Sequence, residues 1–574
     1  MKKHWHILQP DLHTVQKHCK TLKCHPAVAT TLVNRKIFSS EDASNFLFPS
    51  LKCLNPPYSI KDVDVAANRI LTALERREKI LIFGDYDVDG ITATSILLEF
   101  FRSTGIDVSY YIPHRTKEGY DLQKNHVLNY ALPNKINLII TADCGSSSHE
   151  AVKTAMNAGI DVIITDHHTI SDHIPPAVAV VNPKRHDCPS GFDHLAGVGV
   201  VFYLLIHLRK NMRDTNFWHN RPEPNLKNLC DLVALGTLGD MVPLVAENRI
   251  LATTGIKIIN STPRIGLDAL IEICGIDKHA VDANDLVFGL VPRLNSAGRM
   301  DHASKAVDLL TTTNVETARK IVHSLNHMNQ KRRHVEDEIL KQIENQIAQN
   351  PHLLLKKNLI FSHDDWHLGV LGIVASRLMK KYFRPTILIT TSGGMGKGSA
   401  RSIPEVDIYK GLAACAGDLE NFGGHSMAAG LRLKAEKIEA FKKNFENVIG
   451  TMTKPSDFIP KVLIDYELAF DDISATLIEE IEMLKPFGTD NHEPLFMTRN
   501  VKVESAKIVG KNHRRMRLRQ VSEKISKAFN AIQFNVDKKS VLQENFDQIA
   551  FRLRWNRWGG KKTAQIVIEE TWSG

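Results

Sequence analysis

Lys79-Ile80-Leu81-Ile82-Phe83-Gly84-Asp85-Tyr86-Asp87-Val88-Asp89-Gly90 joins an apolar run of strand type to three alternating carboxylates. If the backbone stays extended, Asp85, Asp87 and Asp89 point to one side. Clustered carboxylates repel one another unless a cation compensates. A divalent metal site is therefore the first expectation. The same pattern opens a calcium-binding EF-hand loop, which needs a preceding helix and a Glu at its twelfth position. Here Ile96 holds that position and the preceding segment is strand-like, which argues against calcium. A plain acidic turn is the other alternative.

Further apolar runs follow at Val108–Ile112, Ile136–Thr141, Asp161–Thr165 and Val178–Val181, with helix-like segments between several of them. This alternation predicts a doubly wound, parallel α/β sheet. Two more polar sites close such runs: Ala142-Asp143-Cys144-Gly145 and Asp166-His167-His168. Ligands of open α/β sheets gather at the carboxyl ends of the strands. Asp87, Asp89, Asp143 and His167 are therefore expected around one crevice. A single Asp there is explained by helix capping; three equivalent sites are not. Asp240 ends the run Gly236-Thr237-Leu238-Gly239-Asp240 and is either a further ligand or a helix terminus. Oxygen ligands with one imidazole suit Mn²⁺ or Mg²⁺ better than a thiolate-loving metal. A shared carboxylate could hold two ions about 4 Å apart. Cys144 beside Asp143 reads as a small buried thiol rather than a nucleophile.

Around this centre the chain of 574 residues has room for three or four domains. Its composition, 43% hydrophobic and 24% charged, is that of a soluble globular protein. No secretory h-region is seen at Met1–Leu12, and no apolar run is long enough to span a bilayer. Eight cysteines without a Cys-x-x-Cys pair argue against a zinc ribbon or a disulfide framework. A cytoplasmic protein without membrane contact fits best. Residues 1–75 read as a helical lead-in and 76–313 as an α/β domain, mainly helical after 185. Residues 314–350, with Ile321, Leu325, Met328, Val335, Ile339, Ile343 and Ile347 mostly three or four apart, read as a long amphipathic helix. Residues 351–452 form a second α/β unit. Residues 453–574 alternate apolar and polar positions, as in a β-barrel of oligonucleotide-binding (OB) type.

The net charge of +9 is concentrated at this end: 17 Lys/Arg stand against 7 Asp/Glu from Arg499 onward. A polyanion partner is implied. Arg514, Arg515, Arg517 and Arg519 cluster, and Phe529, Phe534, Phe551, Trp555 and Trp558 are interleaved with further basic residues. Basic grooves follow a single strand and aromatic faces stack its bases. More than half of these aromatics are expected in the barrel core.

Asp-Tyr-Asp-x-Asp-Gly, Asp143 and the literal Asp166-His167-His168 resemble the DHH phosphoesterase superfamily. Downstream motifs narrow the resemblance to its RecJ family of single-strand-specific 5′→3′ exonucleases. They are Leu294-Asn295-Ser296-Ala297-Gly298-Arg299, Trp366-His367-x-Gly369-Val370-x-Gly372-Ile373-Val374-Ala375, Gly398-Ser399-Ala400-Arg401-Ser402 and Gly423-Gly424-His425. The resemblance covers nearly the whole chain and implies a DHH domain, a DHHA1-type domain and the barrel.

The resemblance also implies roles. Asp87, Asp89 and Asp143 would ligate or bridge two Mn²⁺ or Mg²⁺ ions, with His167 and Asp240 completing the second site. His168 would sit beside the scissile phosphate, and Asp85 would support the loop or reach a metal through water. Arg115, Arg299 and Arg401 would grip the 5′ end, since guanidinium forks bind phosphate in two places. Ser399 and nearby glycines would add a backbone nest, and His425 would line the cleft or merely shape its turn. Ser392–Gly398 is similar to a Walker A loop but has Gly398 where Ser or Thr must follow the Lys. Much of the superfamily carries a His where this chain has Phe83, so one metal site is expected to be the weaker. A monomer acting on single-stranded DNA, with a single-strand-binding protein and a helicase as companions, is implied by the family. The alternatives are a DHH phosphodiesterase acting on short oligonucleotides or cyclic dinucleotides, and a non-catalytic single-strand-binding scaffold.

Overall fold

The computed structural model describes residues 3–106, 108–510, 512–521, 527–536, 545–558 and 561–572. It divides into two compact units. The first comprises Pro56–Asp240 and Gly255–Pro460. Its first sheet contains β1 (Ile80–Gly84), β2 (Ser109–Tyr111), β3 (Leu138–Ala142), β4 (Asp161–Thr165) and β5 (Ala179–Val181), in the order β2-β1-β3-β4-β5. Every pairing is parallel. β1 and β3 are buried along their whole length, as a sheet covered on both faces requires. Leu81, Phe83, Ile139 and Ile164 pack on one face against Val127 and Val152. The other face meets α1 (Val88–Thr104) and α2 (Gly197–Asp214), and α3 (Cys230–Asp240) packs on both helices. The chain order reverses between β1 and β3, the switch point where such sheets bind ligands.

After α4 (Val291–Met300), helix α5 (Val315–Gln349) starts at Asn314, whose side chain caps it through the Thr317 N–H. Leu325, Ile339, Ile343 and Ile347 lie on its buried stripe, as the periodicity predicts. The second sheet has β6 (Leu359–His363), β7 (Thr386–Ser392), β8 (Met395–Arg401), β9 (Asn421–Gly424) and β10 (Ala428–Lys434), ordered β9-β10-β8-β7-β6, with α6 (Leu368–Tyr382) following β6. The Walker-like segment is the β7–β8 hairpin. Gly393 and Gly394 both take positive φ, 57° and 77°, as a two-residue hairpin loop demands.

The second unit comprises Lys3–Asn55, Met241–Thr254 and Lys461–Gly574. Its barrel contains β11 (Tyr466–Glu467), β12 (Phe496–Val509), β13 (His513–Gln520), β14 (Ala528–Gln533), β15 (Asn545–Trp558) and β16 (Lys561–Trp572). The order β12-β13-β14-β16-β15 closes because β12 also pairs with β15, giving a five-stranded barrel of OB type. The lead-in is not wholly helical. His4–Ile7 forms a strand parallel to Lys461–Ile464, a pairing between distant chain segments that local pattern cannot reveal.

Among the described residues, no helix is long and apolar enough to cross a membrane.

Candidate metal centre

The three motif carboxylates do not share one side of an extended strand. β1 ends at Gly84 and the backbone turns into α1, with Asp87 as its N-cap. The Asp87 Oδ1 accepts from the N–H groups of Asp89 (3.0 Å) and Gly90 (3.3 Å). This strand–turn–helix geometry also excludes the EF-hand, and the turn sends the carboxylates into different groups. Asp85, Asp87 and Asp143 form one set; Asp89, His167 and Asp240 form another; Asp143, His167 and His168 form a third. Within each set the ligand atoms lie within 4.8 Å of one another. Asp143 belongs to two sets, so it is placed to bridge.

Local structure accounts for each position. Asp143 follows β3 with φ of 67°, a left-handed conformation that Asp tolerates better than most residues. Asp89 is fully buried. Its two oxygens accept the N–H groups of Gly197 (2.6 Å) and Val198 (2.9 Å), at the positive end of α2. Asp240 is the last residue of α3, so it is both a helix terminus and a member of the cluster. The His167 Nε2 lies 3.2 Å from Asp143, 3.5 Å from Asp240 and 3.8 Å from Asp89.

Electrostatics mark the same residues. Burial and then the charge of Asp87 raise the pKa of Asp89 to about 7. Burial and neighbouring carboxylates also push Asp85, Asp143 and Asp240 well above the usual range. Burial holds His167 at about 3, the neutral form a metal ligand needs. The buried Asp85 Oδ1, Asp143 Oδ1 and His167 Nε2 have no hydrogen-bond partner among the described residues. Buried polar atoms are rarely left so. Hard oxygens, one imidazole and orphaned ligand atoms together fit divalent Mn²⁺ or Mg²⁺.

His168, a member of the third set, differs from the others in its charge. Burial works to lower its pKa, but the hydrogen bond and charge of Asp166 prevail and raise it to about 9. Its Nδ1 lies 2.8 Å from Asp166 Oδ1, which leaves Nε2 available to a substrate. Asp166 also accepts from the N–H groups of Ser146, His167 and His168. The Tyr120 hydroxyl lies 3.1 Å from His168 Nδ1 and 3.3 Å from the Asp143 carbonyl. Sequence reasoning gave Asp166, Tyr120 and Gly197 no role. A Cβ on Gly197 would lie 2.4 Å from Asp143 Oδ1, so only glycine fits there. Only the Asp-His-His adjacency pointed to Asp166; nothing local points to the other two.

The predicted phosphate anchors come together beside this centre. The Arg115 guanidinium lies 4.7 Å over the Tyr86 ring. Arg299 donates to the Gly369 carbonyl (3.1 Å), and Arg401 to Ser399 Oγ (3.2 Å). Burial, then the charges of Arg115 and Arg332, push Arg299 down to about 9; burial and Arg115 also lower Arg401. Asn295 in the same motif as Arg299 accepts from the Val88 N–H (2.8 Å), tying α4 to the start of α1. His425 Nε2 lies 2.9 Å from Thr169 Oγ1, which brings the second α/β unit to the DHH loop.

Two expectations are corrected, those for Ser399 and for the barrel arginines, while Phe83 is buried, stacked on Tyr111 (5.7 Å) and packed on His126 (5.0 Å). Ser399 and its glycines form no nest, because β8 is an inner strand whose backbone pairs on both sides. The arginines of β13 do not form one cluster, because a strand sends successive side chains to opposite faces. Arg514 is buried with Met516 and Leu518. Arg515, Arg517 and Arg519 take the other face, where Arg517 and Arg519 pair with Glu504.

Other expectations hold. Cys144 is a buried thiol whose pKa burial pushes up. Phe551 lies in the barrel core, Phe529 and Trp555 pack against it, and Phe534 is exposed. The Trp558 side chain lies outside the described residues.

A parallel sheet with a bridged carboxylate–imidazole cluster at its switch point defines a divalent-metal phosphoesterase of DHH type. Residues 79–237 match the DHH family, N-terminal domain; residues 355–451 match the DHHA1 domain; residues 464–570 match the RecJ OB domain. The chain belongs to the RecJ family of single-stranded-DNA-specific exonucleases. It is 34% identical to the single-stranded-DNA-specific exonuclease RecJ of Bacillus subtilis, over 99% of this chain and 71% of that one. It is also 34% identical to its Escherichia coli counterpart, over 94% and 95%. The crystal structure of RecJ from Thermus thermophilus in complex with Mn²⁺ superposes with a TM-score of 0.84 at 27% identity, covering 100% of this chain and 80% of that one.

Proposed function

We propose that this chain is a metal-dependent exonuclease that hydrolyses single-stranded DNA from its 5′ end to mononucleotides, in DNA repair and recombination. The observation that carries this reading is the cluster bridged by Asp143, with its orphaned ligand atoms, facing arginines from two α/β domains. Asp85, Asp87 and Asp143 would hold one ion, and Asp89, His167 and Asp240 the other. Bound Mn²⁺ or Mg²⁺ supplies Lewis acidity to the phosphoryl oxygens and lowers the pKa of water.

The chain's own groups do the rest. His168, held by Asp166 and cationic at neutral pH, donates from Nε2 to a phosphoryl oxygen in the transition state. Arg115, Arg299 and Arg401, with Ser399 and His425, bind the terminal phosphate and orient the first nucleotide. The domain at 76–313 carries the chemistry, the helix at 314–350 joins it to the end-selecting domain at 351–452, and the barrel within 453–574 holds the strand. The set holding Asp85 and Asp87, which has no imidazole, is the weaker metal site. A cytoplasmic monomer, acting with a single-strand-binding protein and a helicase, completes the reading.

The test is a time course with 5′-labelled and 3′-labelled single strands and Mn²⁺ or Mg²⁺, beside a duplex control. Early release of the 5′ label as mononucleotide, with duplex spared and chelator blocking, is the expected result. Strand binding without cleavage would favour a scaffold, and cleavage confined to short oligonucleotides would favour a smaller-substrate phosphodiesterase.

A further inference from the structure

Asn182 follows β5 as Asp143 follows β3 and Asp166 follows β4, so it stands on the same row of strand ends. It is fully buried. Its Oδ1 accepts from the Lys184 N–H (2.9 Å). That contact shapes a turn, and an Asp would make it equally well. The amide nitrogen does more. Nδ2 donates to the His168 carbonyl (2.9 Å) and to Ser146 Oγ (2.8 Å). The amide fits only one way round, because the Lys184 N–H needs an acceptor and the His168 carbonyl needs a donor.

These bonds close a ring. The Ser146 N–H donates to Asp166 Oδ2 (3.0 Å), Asp166 Oδ1 lies 2.8 Å from His168 Nδ1, and the His168 carbonyl returns to Asn182. Ser146 and Asp166 are buried as well. The ring joins the ends of β3, β4 and β5, and His168 is its one member with a substantially exposed side chain, at 37%. Asp166 holds the N–H side of His168 (3.1 Å) and Asn182 holds its carbonyl side. With both peptide groups fixed, the imidazole has one direction in which to point. A satisfied buried network specifies a single arrangement, and groups that act on a substrate need such support.

We infer that Asn182 is a positioning residue for hydrolysis: its amide fixes the peptide after His168, so that the imidazole presents Nε2 to a phosphoryl oxygen of the DNA strand. This rests on the reading of His168 as the group beside the scissile phosphate.

Steady-state hydrolysis of a single strand by the full chain with Mn²⁺ tests it. Asn182→Ala should lower kcat about 10–100-fold, the scale of a misplaced catalytic group. KM should stay within about twofold, because the interaction lost is made in the transition state. Mn²⁺ affinity, read by calorimetry, should stay within about threefold, since the support removed is not that of a metal ligand. A loss of Mn²⁺ affinity as large as the loss of kcat would place Asn182 behind the metal ligands and overturn the inference. In a His168→Ala background the same substitution should cost less than about twofold in kcat, because the group it positions is gone. A merely structural role gives equal losses with and without His168, and that outcome overturns the inference. So does an unchanged kcat in folded Asn182→Ala. Should that variant fail to fold, Asn182→Asp decides. It keeps the shape and the acceptor for Lys184 but lacks the amide donor. Its kcat should fall about 10-fold or more with His168 present and less than about twofold without it, and any other pattern overturns the inference. His168→Ala alone separates the two levels. If it leaves kcat unchanged, the reading of His168 itself fails. If it lowers kcat while Asn182→Ala does not, only the inference falls.

Discussion

Asp85, Asp87 and Asp89 near the start of the chain, and Arg514, Arg515, Arg517 and Arg519 near its end, are both short runs of like charge. In the DHH sheet the run is gathered. A strand end turns into a helix, and neighbouring strand ends add Asp143 and His167, until ligand atoms lie within 4.8 Å. Burial first, and then their mutual repulsion, raise the Asp89 and Asp143 carboxyls above the usual range. In the barrel the run is dispersed. One guanidinium goes inward, three go outward, and Glu504 takes two of those. Buried like charges persist where a bound cation compensates them; charges along an exposed strand are kept apart by alternation and by pairing.

Removing the bridge breaks this contrast most sharply. Asp143→Ala should lower kcat by about a thousandfold or more, the scale of a lost metal-centred mechanism, while strand affinity in a filter-binding assay stays near wild type. Loss of both together in a folded variant would show that one region serves both tasks. Gly197→Ala comes next. Its Cβ would press on Asp143 Oδ1 at 2.4 Å, and a displaced ligand should cost about 10–100-fold in Mn²⁺ affinity, read by calorimetry.

The buried Asp89 and the Asp166-held His168 should also appear in stability. Asp89 (about 7) and His168 (about 9) both have folded pKa values above the ordinary values for their side chains, about 3.9 and 6.5. Their contributions are present at low pH and are lost as pH rises, through about 7 for Asp89 and about 9 for His168. The Tm of chelator-treated protein should therefore fall between pH 6.5 and 9. Mn²⁺ should raise Tm more at pH 8 than at pH 6, because its ligands must be deprotonated. An unchanged metal effect across that range would mean the carboxylates do not share ions.

The smallest effect belongs to the barrel. Arg515→Ala should reduce the slope of log affinity against log salt by about 0.7, the share of one phosphate contact on a single strand. Arg517→Ala should reduce it less, since Glu504 already pairs with that guanidinium at 3.1 Å. Glu504→Gln should tighten strand binding. Equal slopes for both arginine variants would erase the distinction between Arg517, paired with Glu504, and Arg515, which has no ion-pair partner among the described residues.

Local pattern was sufficient for much of this. The strand before Asp85 was legible because a buried parallel strand is an unbroken apolar run, and α5 because its stripe repeats at helical spacing. Asp143, His167 and Asp240 were legible because strand and helix ends are marked by where apolar runs stop. Tyr120 and Gly197 were not. Tyr120 lies in a loop that meets His168 only after folding. Gly197 opens a helix like many other glycines, and its close approach to Asp143 is a distance between separate elements.

The amino-acid order by itself thus determined the ligand types, the strand ends that carry them and the basic barrel later in the chain, because periodicity and end signals are local properties. Only the tertiary structure decided which carboxylates form which set, that Asp143 belongs to two of them, that Phe83 stacks on Tyr111 and that one of the four arginines of β13 is hidden. Those outcomes depend on backbone direction at a turn, on strand alternation and on contacts between distant segments, and none of these is a property of neighbouring residues alone.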